Sequence, residues 1–292
     1  MITFLLTSAK SPVTLPLIQA QCARREQAFQ RDIAHNHRTP NTMTDVEQTE
    51  FDRLEAMRAH QRIAWALERF PRDALLVTSS FGADSAVFLH LLRDVDRTLP
   101  IGFIDTGFLF PETAVHRDAL VRRLGLSVVA YRAPNPDDPA REHVARRCGD
   151  GPIWCVCRKV DAMQSALEGK SCWISGLRRD QSESRRAIPV LERRAGGLFK
   201  LHPLADWSEE QVRDYLRRHG LPLHPLVGRG YTSIGCMPCT RPSIAGQGAR
   251  GGRWLGSDRD ECGIHDLLRD PGPPAPTPAE PSADSADPWR SA

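Results

Sequence analysis

The chain has 292 residues, enough for a substantial core in one large domain or two small ones. Hydrophobic residues at 40% and charged residues at 26% are ordinary globular values. A formal charge of +3 is too small to argue for nucleic acid, and no stretch approaches the roughly 20 apolar residues that span a bilayer.

Residues 1–42 are rich in Gln, Arg, Thr and Asn with no sustained period, and read as a disordered extension. Lys10 splits their apolar patches and no clean cleavage site follows, which argues against a signal peptide. Met43, followed at once by an acidic helical pattern, marks an alternative natural start. Phe51, Leu54, Met57, Ile63, Leu67 and Phe70 recur at helical spacing, predicting one or two amphipathic helices over 46–70. The apolar run 74–78 predicts a strand buried on both faces, then a Ser/Gly turn and a helix over 86–92. Strands are expected again at 101–105, 127–131 and 171–175, with helices at 112–124, 137–147 and 158–167. This alternation predicts an α/β fold with a doubly wound, mainly parallel sheet. Ligands bind such sheets beyond the carboxyl ends of the strands, where the 79–85 turn, Asp105 and the segment 176–179 fall. Ser208 with Gln211 forms a capping box for a helix to His219, stopped by Gly220. From Leu221 onward Gly, Pro and Arg dominate, predicting an irregular segment over 221–269 that needs a ligand or metal to order it. The Pro-, Ala- and Ser-rich remainder, 270–292, reads as a disordered tail. The nucleotide-binding unit is therefore 43–220, and there are no internal repeats.

Eight cysteines at uneven spacing are too few for a disulfide scaffold and fit a reducing, cytoplasmic setting. Cys236-Met237-Pro238-Cys239 offers two ligands from a tight turn, and Cys155-Val156-Cys157 offers two more. Four thiolates suit Zn²⁺ or an iron–sulfur cluster, and spacing alone leaves zinc at least as good. Cys172 lies inside a predicted strand and is expected to be a core residue. Cys262 stands apart: between Glu261 and Gly263, with His265 after it and Arg250, Arg253 and Arg259 before it, its thiol has a cationic neighbourhood that favours a nucleophilic thiolate. Arginine pairs at 178–179, 185–186 and 193–194, with Arg250 and Arg253, suit phosphate or sulfate, or else a solvated basic surface. The turn Ser79-Ser80-Phe81-Gly82-Ala83-Asp84-Ser85 lacks the Lys-Ser/Thr of a Walker loop. It is either a plain strand-to-helix turn or a cradle whose N–H groups face an anion.

That turn resembles the modified PP-loop of the adenylyl-sulfate and phosphoadenylyl-sulfate reductase family. The likeness continues through Asp105-Thr106-Gly107, Gly176-Leu177-Arg178-Arg179-Asp180-Gln181-Ser182, Lys200-Leu201-His202-Pro203-Leu204 and Glu261-Cys262-Gly263-Ile264-His265, and covers roughly 50–266. The resemblance implies a sheet of the PP-loop adenine nucleotide α-hydrolase-like type, with substrate bound by residues 79–85, Asp105, Thr106, Lys159, Arg178, Arg179, Arg241, Arg250 and Arg253. It implies a [4Fe–4S] cluster on Cys155, Cys157, Cys236 and Cys239, the mark of the branch that uses adenylyl sulfate. The chain departs from the family pattern of two adjacent cysteines, two residues, then Arg-Lys. Before Arg158-Lys159 the paired positions hold Trp154 and Cys155, so Cys157 substitutes by proximity and Cys148 is the weaker fourth ligand.

The implied reaction is attack by Cys262 on the sulfur of adenylyl sulfate, with His265 binding substrate or orienting the tail, and sulfite release by thioredoxin or a glutaredoxin-like reductant. No nucleic acid or membrane enters this scheme, and a homo-oligomer is compatible with it. Three alternatives stay open: a phosphoadenylyl-sulfate reductase, a PP-loop nucleotidyl transferase or tRNA-thiolating enzyme that would not need Cys262, and a zinc-stapled nucleotide-binding module.

Overall fold

The computed structural model describes residues 45–132, 153–244, 246, 248–255, 261, 264 and 265, with the side chains of 45–47, 153–158, 161 and 195 outside that description. The extension at 1–42, the helix at 137–147, the tail from 270, and Cys148 and Cys262 also lie outside it.

The 46–70 periodicity resolves into two helices, α1 (Asp45–Ala56) and α2 (Ala59–Arg69). Then follow β1 (Leu75–Thr78), α3 (Ser85–Val95), β2 (Ile101–Asp105), α4 (Pro111–Leu124), β3 (Val128–Arg132), α5 (Ile153–Leu167) and β4 (Cys172–Ser175). After β4 come β5 (Leu191–Arg193), β6 (Phe199–Leu201) and α6 (Glu209–Arg218). Among the described residues the sheet has six strands in the order β3-β2-β1-β4-β6-β5. All neighbours are parallel except β5 and β6, which are antiparallel. Ser208 caps α6 as its sequence predicts, its Oγ accepting from Gln211 N at 3.2 Å.

Period-two alternation sends each central strand to two cores. Leu75, Val77, Cys172 and Ile174 face a cluster that includes α2, α3 and α6, while Leu76 and Trp173 face Val160, Met163 and Ala166 of α5. Helix α3 is buried around most of its circumference, with Ala86, Val87, Phe88, Leu89, Leu91 and Leu92 all inside. Each large apolar side chain buried there contributes about 2 kcal/mol. Cys172 is fully buried as expected, and burial pushes its thiol up to about 12, so it is unreactive. Strand β3 differs from its neighbours: it is an edge strand, half-buried or exposed along its length.

The structure adds β5 and β6, where the sequence shows no strand signal: Leu-Glu-Arg and Phe-Lys-Leu are short and charged. Arg193 is exposed, but Glu192 and Lys200 point inward. Glu192 accepts from His202 Nε2 at 3.0 Å and Arg194 Nη2 at 2.5 Å, and Lys200 Nζ lies 3.5 Å away. At the other end, the Arg62 side chain is fully buried and ties α2 to Leu54 O, Glu55 O, Pro203 O and Asp206.

Candidate active site

The turn after β1 is held from inside. Phe81 takes a left-handed backbone (φ +50°) and is fully buried, edge-to-face with Phe103 at 5.5 Å. Such a backbone is strained for a bulky residue and persists because the core pins the ring. Ser79 Oγ accepts from Phe81 N at 3.1 Å, and Ser85 Oγ donates to Gly82 O at 2.5 Å. With Phe81 turned inward, Ser79, Ser80, Gly82, Ala83, Asp84 and Ser85 are left to line a cavity of about 260 Å³. Arg178, 2% exposed, reaches from the end of β4 to Asp84 Oδ2 (2.7 Å) and Asp180 Oδ1 (3.0 Å), fixing the turn to the next strand.

The Asp105-Thr106-Gly107 turn docks the cysteine segment. Asp105 accepts from Gly107 N at 2.9 Å and Arg132 Nε at 2.8 Å. Thr106 Oγ1 lies 3.2 Å from Cys236 Sγ, Met237 N donates to Phe108 O at 2.8 Å, and Leu109 bridges Cys236. Cys236 caps the single 3₁₀ turn that ends at Cys239. That turn in turn holds the arginines. Cys239 O accepts from Trp254 N (3.1 Å) and Arg253 Nε (3.2 Å), and Thr240 bridges Arg253. The guanidiniums of Arg250 and Arg253 both lie over the Trp254 ring, 4.8 and 4.3 Å from its centroid.

The segment around residue 262 meets the cavity from the far side. Glu261 accepts from Arg185 Nη2 at 2.9 Å and from Arg185 Nε, and its Oε1 also accepts from Arg250 Nη1 at 2.5 Å. Burial disfavours its charge, yet the two guanidiniums hold its carboxyl below the ordinary range. Ile264 packs on the α5 core, and His265 stacks on Trp173 at 5.4 Å. Lys200 Nζ sits 4.4 Å over the same indole and donates to His265 O at 3.4 Å. Burial, then the Lys200 and Arg185 cations, put the His265 imidazole well below its ordinary range, so it is neutral at pH 7. Burial, reinforced by Arg194, lowers Lys200 to about 7 despite Glu192.

Residues 74–242 match the phosphoadenosine phosphosulfate reductase domain. An adenosine 5'-phosphosulfate reductase of Mesorhizobium japonicum is 40% identical over 218 residues, 73% of this chain and 85% of that relative. A phosphoadenosine 5'-phosphosulfate reductase of Xanthomonas oryzae pv. oryzae is 41% identical over 225 residues, 73% and 90% of the two chains. The chain belongs to the phosphoadenosine phosphosulfate reductase family. It is an oxidoreductase, so the reading as a non-enzymatic module falls. The fold agrees: the crystal structure of a phosphoadenylyl-sulfate reductase from Candida auris superposes with a TM-score of 0.56 at 24% identity, covering 68% of this chain and 98% of that one.

Of the residues singled out by sequence in this reductase, Ser79, Ser80, Gly82, Ala83, Asp84, Ser85, Lys159, Arg178, Arg250, Arg253, Cys236 and His265 line one cavity. Phe81, Asp105, Thr106, Arg179 and Arg241 are not among its lining residues. Arg179 bonds Glu55 and Ile188 O, and Arg241 bonds Met237 O and Thr240 O. Arg185, Gln181 and Trp173 line the cavity and were not among the expected site residues. The 185–186 pair was the only sequence signal for Arg185.

Among the described residues no three His, Cys, Asp or Glu side chains gather as a metal site. The backbone places the positions of the expected thiols. Cys236 and Cys239 flank one turn, and helix α5 begins at Ile153, before both further cysteines. Position 155 is one turn ahead of Lys159, which lines the cavity with Cys236, so 155 shares the face of 159. Position 157 is two residues from each, about 200° around the axis, on the opposite face. No helix among the described residues is long and apolar enough to cross a membrane.

Proposed function

We propose that the chain is a thioredoxin-dependent adenylyl-sulfate reductase of assimilatory sulfate reduction, acting in the cytoplasm. The observation that carries this reading is the placement of Glu261, Ile264 and His265 on the wall of the same cavity as the 79–85 cradle, since Cys262 is bonded directly to Glu261.

The 79–85 turn would take the α-phosphate of the nucleotide on backbone N–H groups at the start of α3. Lys159, Arg250 and Arg253 neutralise phosphate and sulfo oxygens as charge shifts toward the departing AMP. The Cys262 thiolate attacks the sulfur, and the bridging oxygen keeps the S–O electron pair and leaves as AMP. The product is an S-sulfocysteine. A thioredoxin thiolate then attacks Cys262 Sγ and expels sulfite, and its second thiol resolves the mixed disulfide. AMP is a good leaving group and needs no proton, so His265, stacked on Trp173, would serve to hold the segment.

Cys155, Cys157, Cys236 and Cys239 would hold a [4Fe–4S] cluster. When bound it would supply a fixed anionic anchor for the cationic side chains of the cavity. The competing substrate, phosphoadenylyl sulfate, is favoured by relatives of that name at 41% identity. Cys262→Ser should abolish sulfite release with thioredoxin while nucleotide binding persists. Sulfite release by that variant would refute the mechanism, and a preference for phosphoadenylyl sulfate in the wild type would transfer the reading to the other branch.

A further inference from the structure

The Arg185–Glu261–Arg250 contact joins three cavity-lining residues and leaves one guanidinium donor unpaired. The carboxylate takes the Arg185 fork through Nε and Nη2 and one Nη1 of Arg250. Arg250 Nε is left buried with no hydrogen-bond partner. An unpartnered buried donor on a guanidinium is unfavourable, and a two-oxygen carboxylate already shared with Arg185 does not relieve it. A sulfo or phosphate group offers more acceptor oxygens in a tetrahedral array that guanidinium forks match equally well. Arg185 and Arg250 are only 11–12% exposed along their side chains, so an anion held there is largely out of water.

We propose that Glu261 is an intramolecular stand-in for a substrate oxyanion: its carboxylate occupies the Arg185–Arg250 pair in the ligand-free protein and yields it when a sulfonucleotide enters. This rests on the reductase reading above. It explains why an acidic residue stands next to a nucleophile that a negative charge disfavours. The pair stays neutralised while the cavity is empty, and the substrate's apparent affinity is reduced by the fraction of molecules in which the pair is taken.

Glu261→Gln keeps the size of the side chain and removes the competing charge. The comparison is made in the full chain carrying Cys262→Ser, so that no covalent step intervenes. Calorimetric titration with adenosine 5'-phosphosulfate should then show binding roughly tenfold tighter when Glu261→Gln is added, the scale of one charge-assisted contact. Adenosine, which has no anion, should bind both proteins alike. An equal gain with AMP assigns the pair to the phosphate; a gain with phosphosulfate alone assigns it to the sulfo group. Unchanged or weaker phosphosulfate binding makes Glu261 a structural clamp and overturns the proposal. Glu261→Ala serves as the second variant, and loss of the folded state in both has the same meaning. If the protein that retains Glu261 binds neither nucleotide, the reductase reading itself fails, and the inference with it.

Discussion

A Cβ on Gly235 would sit 2.5 Å from Arg253 Nη2 and 2.8 Å from its Cζ. The residue before Cys236 is therefore glycine because a guanidinium passes over it. Gly252 has a similar reason, since a Cβ there would fall 2.1 Å from Arg241 O. Gly235→Ala should push Arg253 out of place and leave the core intact. A shift near 1 Å of a positioning group costs about 10²-fold in rate, so kcat/KM for sulfite formation should fall by that order with an unchanged circular dichroism spectrum. Unchanged kcat/KM would remove Arg253 from the reaction. Neither glycine is legible from its neighbours in sequence, because the group it admits comes from another part of the chain. The cradle's small residues were legible, since a Ser/Gly/Ala turn between an apolar run and a helix is a local pattern. The inward turn of Phe81 was not: it depends on Phe103, on the next strand.

At the scale of elements, strand β1, the turn after it and α3 follow from periodicity, and four of the six strands fall within a residue of where alternation puts them. The start of α5 does not. The sequence predicts helix from 158, whereas α5 begins at Ile153 and takes in both cysteine positions. Cys155→Ser and Cys157→Ser should each lower bound iron and acid-labile sulfide in anaerobically purified protein as Cys239→Ser does. Unchanged iron in either variant would remove that cysteine from the ligand set. The CxxC turn and the arginine segment form one unit through Cys239 O, so metal loss should also weaken nucleotide binding.

Across the whole molecule, three buried histidines set the acid limit of stability. His116, His202 and His224 are each lowered to about 4 by burial; His224 adds to the effect on His116, while Glu192 and Glu112 oppose it at His202 and His224. Between pH 6.5 and 4 the unfolded chain binds protons that the native chain refuses, so stability falls as pH drops through that window and is full above it. The slope is on the order of 1 kcal/mol per pH unit for each histidine. Tm should drop markedly from about pH 7 to about pH 5; a flat profile would contradict these shifts. Both ring nitrogens of His116 are buried without a partner, so His116→Leu should be neutral or stabilising by about 1 kcal/mol near neutral pH and should flatten the profile.

Local pattern was enough to determine the α/β alternation, the phosphate-type turn, the CxxC turn and, through motifs in order, the family. Only the tertiary structure decided that β5 runs antiparallel at the sheet edge, that Arg185 lines the cavity and Arg179 does not, and that Glu261 lies between two guanidiniums. The physical reason is range. Period and turn chemistry act within a few residues of one another, whereas a cavity is lined by side chains whose partners lie far away along the chain, and their pairing exists only once the chain has folded.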